Sequence, residues 1–538
     1  MQKIQKYKYH LVLLIIPLIS FFNSINQAIY NYDGFHWGLI LFTAEGLNLG
    51  EKPFVDVFIH YGILTTKFNA IILKLFKNDF IYIFAASSLA YSFSIFIQTL
   101  FMLRLSNIYF AVLGGLIVFF LHPYANFPSH AYYVYFLFNL FLLLRFSNND
   151  YLKYLSYFLL STIVFFSESF IVASILFFLF DTFLLIFFEK SSIRSKQKNF
   201  SIRFCFYLFP FLIFISYLNL QNLYSSWTTY NDMGKIFFQI IDKNLLEAFI
   251  SFFSTLKDYA LGRIFTHPNW MIYLILLLFN VFFIINFIFH KFNKKISEND
   301  LILATISFAS IVLLYQTIHS ITIFKFACSL MIGLIVLLRS ISKINNNENI
   351  IIITIILFLY SFSSFGFTKN ENNRMYVYKY QKINHVKNDY FKYFKTQKWE
   401  RATWHHLISF DENIKNFKNN CNINSGANLS GDGIISVIMR NNLDLEQLIP
   451  WYQNLSINSL NRYYDTLWRH FDGDYKENII SKINSSKIII YTDRSNYPVI
   501  NLGGQSLNLE SKMNFIKLPY SYQNKDKIIL FPKNCNDI

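Results

Sequence analysis

The stretch of this 538-residue chain richest in groups that can do chemistry is Tyr32-Asp33-Gly34-Phe35-His36-Trp37. It continues through Ala44-Glu45-Gly46-Leu47-Asn48-Leu49-Gly50-Glu51-Lys52-Pro53-Phe54-Val55-Asp56 and ends in Ile59-His60-Tyr61-Gly62. An apolar run precedes it, so Asp33 stands at the mouth of that run. A carboxylate there, beside His36 and Trp37, suits an acid/base site at a lipid boundary, because ionisable groups near hydrocarbon are costly and tend to be functional. The commoner task for such an aspartate is to cap the helix that follows, and the residues alone leave both readings open. Asp56 and Glu51 carry the same ambiguity, Glu51 also as a plain solvated loop charge. Glu168, in Phe166-Ser167-Glu168-Ser169-Phe170, is either a solvated turn residue or a second site carboxylate that orients an acceptor or holds a divalent ion. Lys325 falls inside an apolar run, where it must snorkel or pair, and a phosphate is one suitable partner. Lys52, Arg263, His267 and Arg401 offer weaker sources of the same positive charge. His122 and His130 border a short turn and read first as structural. No His-Glu-x-x-His or Cys-x-x-Cys spacing occurs, so a divalent ion, which could still be bound, is not expected to be essential.

Membrane-spanning helices must position these groups. Charged residues make up 15% of the chain and hydrophobic ones 54%, whereas soluble domains carry about a quarter charged. Mean hydropathy is +0.33. These values exclude an ordinary soluble enzyme, a disordered chain and a coiled coil. The excess is confined to residues 1–367, where apolar runs of roughly 20 residues can cross a bilayer core of about 30 Å. About eleven spans are expected, starting near Leu11, Ile81, Ile108, Tyr132, Leu155, Phe170, Phe204, Trp270, Leu301, Ile321 and Ile350. The first could also be a cleaved signal peptide, but residues 23–28 make a poor small-x-small cleavage site.

A net charge of +16 invites a nucleic-acid reading, yet the Lys and Arg residues cluster in short gaps between apolar runs. Arg104, Arg145 with Lys153, the 190–203 stretch, Lys291 with Lys294 and Lys295, and Arg339 with Lys343 all fall on the side of the basic N-terminus. That is the positive-inside pattern. It places the N-terminus in the cytoplasm and residues 31–80, 219–269 and 368–538 outside it, in an inner-membrane, multi-pass protein. Charges within spans are nearly absent apart from Lys325.

Leu39, Phe42, Thr43 and Leu47 recur at helical spacing, so 34–47 is expected as an amphipathic helix along the membrane surface, ended by Gly50 and kept from restarting by Pro53. The combined pattern Tyr-Asp-Gly, Ala-x-x-x-x-x-Gly and Pro-Phe-x-Asp-x-x-x-x-Tyr-Gly resembles the first external loop of type C glycosyltransferases. These take a sugar from a polyprenyl-phosphate carrier, as the lipid A aminoarabinose transferases and protein O-mannosyltransferases do. The resemblance implies a GT-C fold over residues 1 to about 340 and a catalytic carboxylate at Asp33. It also implies a His-containing turn at His319 facing the donor phosphate. His36, Lys52, His60 and Lys325 are read beside it as further phosphate or substrate contacts, with Asp56 and Glu168 supporting the base. Many relatives carry a second acid after the first; here that residue is Gly34. The implied partners are a polyprenyl-phosphate-linked sugar, an extracytoplasmic acceptor (lipid, polysaccharide or protein) and the bilayer.

The sequence from 368 onward reads as a small α/β domain: a helix-like opening to about Lys398, then strands at Ile434–Met439, Lys487–Tyr491 and Lys527–Phe531. Helical pattern fills Asp444–Leu455, Ile457–Phe471 and Asn478–Ile483, and Ser425–Gly433 reads as a glycine-rich turn. Cys421 and Cys535 are expected to pair in this external domain; Cys205 and Cys328 fall in apolar runs as buried small residues. Two other classes stay open. A flippase or transporter would show internal repeats and buried mid-span charges, neither of which is evident. A polysaccharide polymerase or ligase would carry its key Arg and His residues in a large late loop, whereas here the distinctive loop comes first.

Overall fold

The structure is a computed structural model of the whole chain. It describes residues 2–30, 32, 34–57, 59, 62–123, 125, 128–188, 192–228, 247, 269–291, 297–314, 323–344, 347–367, 385–429, 433–445, 481, 485–492, 499–502, 505–508, 513–518, 527–533 and 535. The chain is an α-helical polytopic membrane protein carrying a small C-terminal α/β domain.

Each expected span coincides with a helix: α1 (Gln2–Tyr30), α4 (Ile81–Leu105), α5 (Ile108–Leu121), α6 (His130–Arg145), α7 (Asp150–Thr162), α8 (Ile171–Phe188), α9 (Ile193–Leu220), α10 (Trp270–Lys291), α11 (Glu298–Val312), α12 (Ile323–Ile341) and α13 (Asn347–Phe367). Two further helices, α2 (Gly34–Asn48) and α3 (Ile63–Leu75), lie between the first two spans. Among the described residues five stretches are long and apolar enough to cross a membrane unaided, and Lys8–Tyr30 and Ile193–Leu220 are two of them. Helix α12 is buried on every side, with Leu330, Met331, Leu334 and Leu338 fully covered, as a helix apolar all round must be. Helices α9 and α13 instead turn Phe209, Leu212, Ile355 and Leu359 outward, where the only suitable solvent is lipid.

One span departs from the charge-free expectation. Asp181, in α8, is buried and paired with Arg145 Nε at 3.0 Å and Arg203 Nη1 at 3.1 Å, and it accepts a hydrogen bond from the Tyr157 hydroxyl. Four helices meet on this carboxylate. The charge escaped notice because its partners lie in the flanking basic turns, where cations already have an explanation.

The C-terminal domain opens on a short antiparallel pair, β1 (His385–Lys387) and β2 (Lys398–Glu400), with Val386 opposite Trp399. The described part of the expected opening helix is therefore a hairpin. Its aromatics Phe391, Phe394 and Trp399 point into one core, which an exposed helix could not arrange. Helix α14 (Arg401–Cys421) follows and was not anticipated. The main sheet runs β4-β3-β5-β9-β8. Strands β3 (Ser425–Leu429), β4 (Asp444–Leu445) and β5 (Ile488–Thr492) are parallel, and β8 (Met513–Leu518) and β9 (Lys527–Pro532) antiparallel to their neighbours. A separate hairpin joins β6 (Val499–Leu502) and β7 (Gln505–Asn508). The expected turn at Ser425 is thus a strand, and the expected strand at Ile434–Met439 is helix α15 (Gly433–Asn442). A short, mostly apolar run cannot distinguish the two, and Gly433–Met439 are all buried because α15 is covered twice: by the sheet on one side and by α2 on the other. Cys421 and Cys535 are disulfide-bonded across 5.7 Å of Cα separation, tying the end of α14 to the chain beyond β9. Of the expected helices at 444–483, residues 444–445 form β4, and nearly all the rest lies outside the described residues.

Candidate active site

The loop between α1 and α4 is built by its small residues. Helix α2 ends in two reciprocal bonds, Gly50 N–H to Leu47 O (3.2 Å) and Glu51 N–H to Gly46 O (3.0 Å), with Gly50 at φ +92°. This is a Schellman ending, and the left-handed residue it needs is the expected Gly50. The loop that follows is pinned by Asp56, whose carboxylate accepts the Lys52 N–H at 2.9 Å, and Pro53 bridges to Val57. Asp56 and Lys52 are both exposed, so Asp56 serves this turn directly. Val57 and Ile59 are buried with Ile63 and Phe165.

The loop closes on the turn that carries Glu168. Gly62 adopts φ +101°, and a Cβ there would stand 2.7 Å from the Phe166 carbonyl oxygen and 2.8 Å from that of Phe165. Thr65 Oγ1 donates to the same Phe166 oxygen at 2.7 Å. Gly62, the last residue of the loop pattern, is therefore seated two residues from Glu168, which is half-buried and whose carboxylate makes no hydrogen bond or ion pair among the described residues. Tyr133 packs on Phe166 from the start of α6 and on Phe68 from α3. Nearby, His122 Nε2 is 2.9 Å from the Tyr132 hydroxyl and the Tyr91 hydroxyl donates to the His122 carbonyl, a buried arrangement that fixes helix ends.

Of the other sequence-derived candidates, His36 sits half-buried in the first turn of α2, and Lys325 is buried in the first turn of α12. Asp33, His60 and His319 lie outside the described residues, as does nearly all of the 229–268 loop. Among the described residues no three His, Cys, Asp or Glu side chains gather as metal ligands.

Helix α2 is not the half-exposed amphipathic helix expected. Trp37 and residues 39–46 are buried, because α15 covers the side that would otherwise face water. The two helices cross at Gly38 and Gly433, where a Cβ on Gly38 would stand 1.9 Å from the Gly433 carbonyl carbon. From this crossing α15 extends Arg440 back over α2. Its guanidinium lies 3.6 Å from the Phe42 ring centroid, donates to the Phe42 carbonyl at 2.7 Å, and binds both Glu51 oxygens at 2.7 Å. Glu51 reaches Arg440 by folding across Gly46, where a Cβ would be 2.2 Å from Glu51 Oε2. Beside this pair, buried Glu45 accepts a hydrogen bond from the Tyr393 hydroxyl, while its Oε2 has no hydrogen-bond partner among the described residues. Burial lifts the Glu45 pKa above its ordinary value, against the pull of Arg440 and Lys392. Burial likewise lifts that of Glu51, against Arg440. Sequence reading missed Glu45, Arg440 and Tyr393. The available signal was Glu45 itself, an acid in the middle of an otherwise apolar helix.

No family model matches the sequence, and no curated protein matches it either. Solved structures do. The oligosaccharyltransferase of Archaeoglobus fulgidus, solved with Zn and sulfate, is similar with a TM-score of 0.50 at 12% identity, over 89% of this chain and 68% of that one. ArnT from Cupriavidus metallidurans is similar in its undecaprenyl-phosphate complex with a TM-score of 0.42 at 8% identity, over 96% of this chain and 97% of that one. The apo form of ArnT gives 0.39 at 8% identity, over 98% of each chain. The architecture expected from the first loop is thus the architecture found: the chain has the fold of the GT-C membrane glycosyltransferases.

Proposed function

We propose that this protein is a membrane glycosyltransferase that moves a sugar from a polyprenyl-phosphate carrier to a hydroxyl of an extracytoplasmic acceptor, with Asp33 as general base. The observation that carries the reading is the first loop: its acid lies between α1 and α2, and its Gly62 end is seated against the Glu168 turn. In the proposed step the acceptor O–H loses its proton to the Asp33 carboxylate as the acceptor oxygen bonds to the anomeric carbon. The bond from that carbon to the phosphate oxygen breaks, and the carrier leaves as an anionic lipid phosphate. A leaving group that is already an anion needs charge stabilisation more than a proton, which is work for Lys325, Lys52, His36, His60 and His319. The acceptor does need a base, and a carboxylate suits it. Glu168 and Asp56 support the base, Glu168 by orienting the acceptor and Asp56 through the turn it holds. One displacement inverts the anomeric centre; retention would call for a second carboxylate close by acting as nucleophile.

The disulfide supports an extracytoplasmic C-terminal domain, since such bonds persist in oxidising compartments. The test feeds purified protein a panel of radiolabelled polyprenyl-phosphate sugars with a cell-envelope acceptor fraction. Loss of one sugar from its carrier, with inverted configuration in the product, is the expected result. Turnover of none of them, or a product of retained configuration, contradicts the proposal.

A further inference from the structure

The C-terminal domain grips the chain on both sides of Asp33. On the α1 side, Gln397 Nε2 donates to the Ala28 carbonyl at 3.5 Å, and Tyr30 is met by the His385 ring and by Lys398. Tyr32, the residue before Asp33, packs edge-on against Trp399 at 5.1 Å. On the α2 side, Gly38 meets Gly433 backbone to backbone just over one turn after Asp33, and Arg440 anchors the far end of the helix through Phe42 and Glu51. The entry to α4 is held as well: Phe80 N–H donates to the Tyr393 carbonyl at 2.8 Å, and Thr396 Oγ1 to Asp79 at 2.5 Å. The described residues on both sides of Asp33 thus pack on residues 385–429 and 433–442 of the C-terminal domain. Neither the aromatic pairs nor a glycine crossing tolerates sliding, because close-packed interfaces deform in steps rather than continuously.

From this we infer that the C-terminal domain is the template that sets the proposed catalytic loop, and that Arg440 is a positioning residue for Asp33. The inference rests on the reading of Asp33 as base. Arg440 touches neither that carboxylate's neighbours in sequence nor the Glu168 turn; it acts by fixing α2 along its axis. Its Nη2 holds both Glu51 oxygens while its Nη1 holds the Phe42 carbonyl and its flat face covers the Phe42 ring, a set of contacts that lysine's single ammonium cannot reproduce together.

The test uses the full-length protein in detergent and compares Arg440→Ala, Arg440→Lys, Gly433→Ala and Asp33→Asn. Three readouts are taken: kcat and KM for the labelled lipid-linked sugar, hydrogen exchange of residues 34–57, and the thermal midpoint. Arg440→Ala should lower kcat on the order of 100-fold, as misplacement by about an ångström does, with KM for the donor little changed. Exchange across 34–57 should quicken in step. Arg440→Lys keeps the charge and should fall between, at roughly tenfold, with the thermal midpoint retained, so that a fold defect cannot account for the loss. Gly433→Ala, whose Cβ would stand 2.5 Å from the Leu39 nitrogen, should reproduce the Arg440→Ala pattern from the other end of the joint. If both Arg440 variants keep wild-type kcat and exchange while Asp33→Asn is inactive, the positioning role is overturned and the base assignment stands. If Asp33→Asn is itself active, both fall together.

Discussion

At the scale of single residues, the acid foreseen in the sequence and the acid the fold exposes to view are different. Asp33 declares itself by standing where an apolar run ends, a position that needs no structure to recognise. Glu45 shows in the sequence only as an acid within an apolar helix, and its surroundings appear once α15 is placed over it. Its carboxyl is buried, one oxygen is bonded to Tyr393, and its pKa lies above the ordinary value because burial disfavours the charged form. The sign of the consequence follows. The docked state favours the protonated acid, so this group's contribution to docking is complete below its unfolded value of about 4.5 and declines as pH rises through the raised folded value. Each pH unit of elevation corresponds to about 1.4 kcal/mol. Glu45→Gln should therefore leave the thermal midpoint unchanged in acid, raise it at neutral pH, and flatten its dependence on pH. A midpoint that falls at neutral pH in this variant would show that the charged carboxylate, paired with Arg440 and Lys392, holds the joint instead.

At the scale of elements, every expected span became a helix, since runs of this length and apolarity have no other way to satisfy their backbone amides in a bilayer. The misreadings cluster where two elements cover each other. Helix α2 was read as amphipathic and α15 as a strand; each is buried where the other lies on it, and no pattern within either segment reports a partner some 400 residues away in sequence. The glycine-on-glycine crossing is the clearest case: Gly38 and Gly433 are unremarkable in sequence and in contact in the fold. Gly62 is the counterpart at the other end of the loop. Gly62→Ala places a Cβ against two carbonyl oxygens at φ +101°, and strain of about 1–3 kcal/mol should appear as a lowered thermal midpoint and, through the displaced Glu168 turn, as reduced turnover. Equal stability and turnover would mean that the turn gives way freely. The Asp181 carboxylate offers an independent check on the spans. Asp181→Asn leaves Arg145 and Arg203 without their shared counter-charge, and removal of one partner from such a buried group costs about 3–5 kcal/mol, to be read as loss of folded protein in detergent. A variant as stable as wild type would mean that water reaches the cluster.

At the scale of the whole molecule, the membrane helices and the C-terminal domain share one continuous core that runs from Phe84 through Trp37 and Ile438 to Ile529. That union was not legible in the sequence, where the composition shift after residue 367 suggests two separate bodies. What the sequence did carry was the pairing of Cys421 with Cys535, the two cysteines that fall outside the apolar runs, in the polar C-terminal segment. The bond spans 114 residues, and its removal in Cys421→Ser/Cys535→Ser should cost about 5 kcal/mol of C-terminal domain stability by the loop-entropy argument. Because that domain covers α2, hydrogen exchange in 34–48 should quicken in the same variant. Exchange that stays slow there would separate the stability of the domain from that of the loop.

The account stands or falls on the aspartate at the end of the first span. The most direct measurement is transfer from a labelled polyprenyl-phosphate sugar by purified wild-type and Asp33→Asn protein, matched for folded content by thermal midpoint and gel-filtration profile. Turnover that disappears with the amide while the protein stays folded is the predicted result. Wild-type turnover by Asp33→Asn would contradict the assignment of the base, and with it the mechanism built on it.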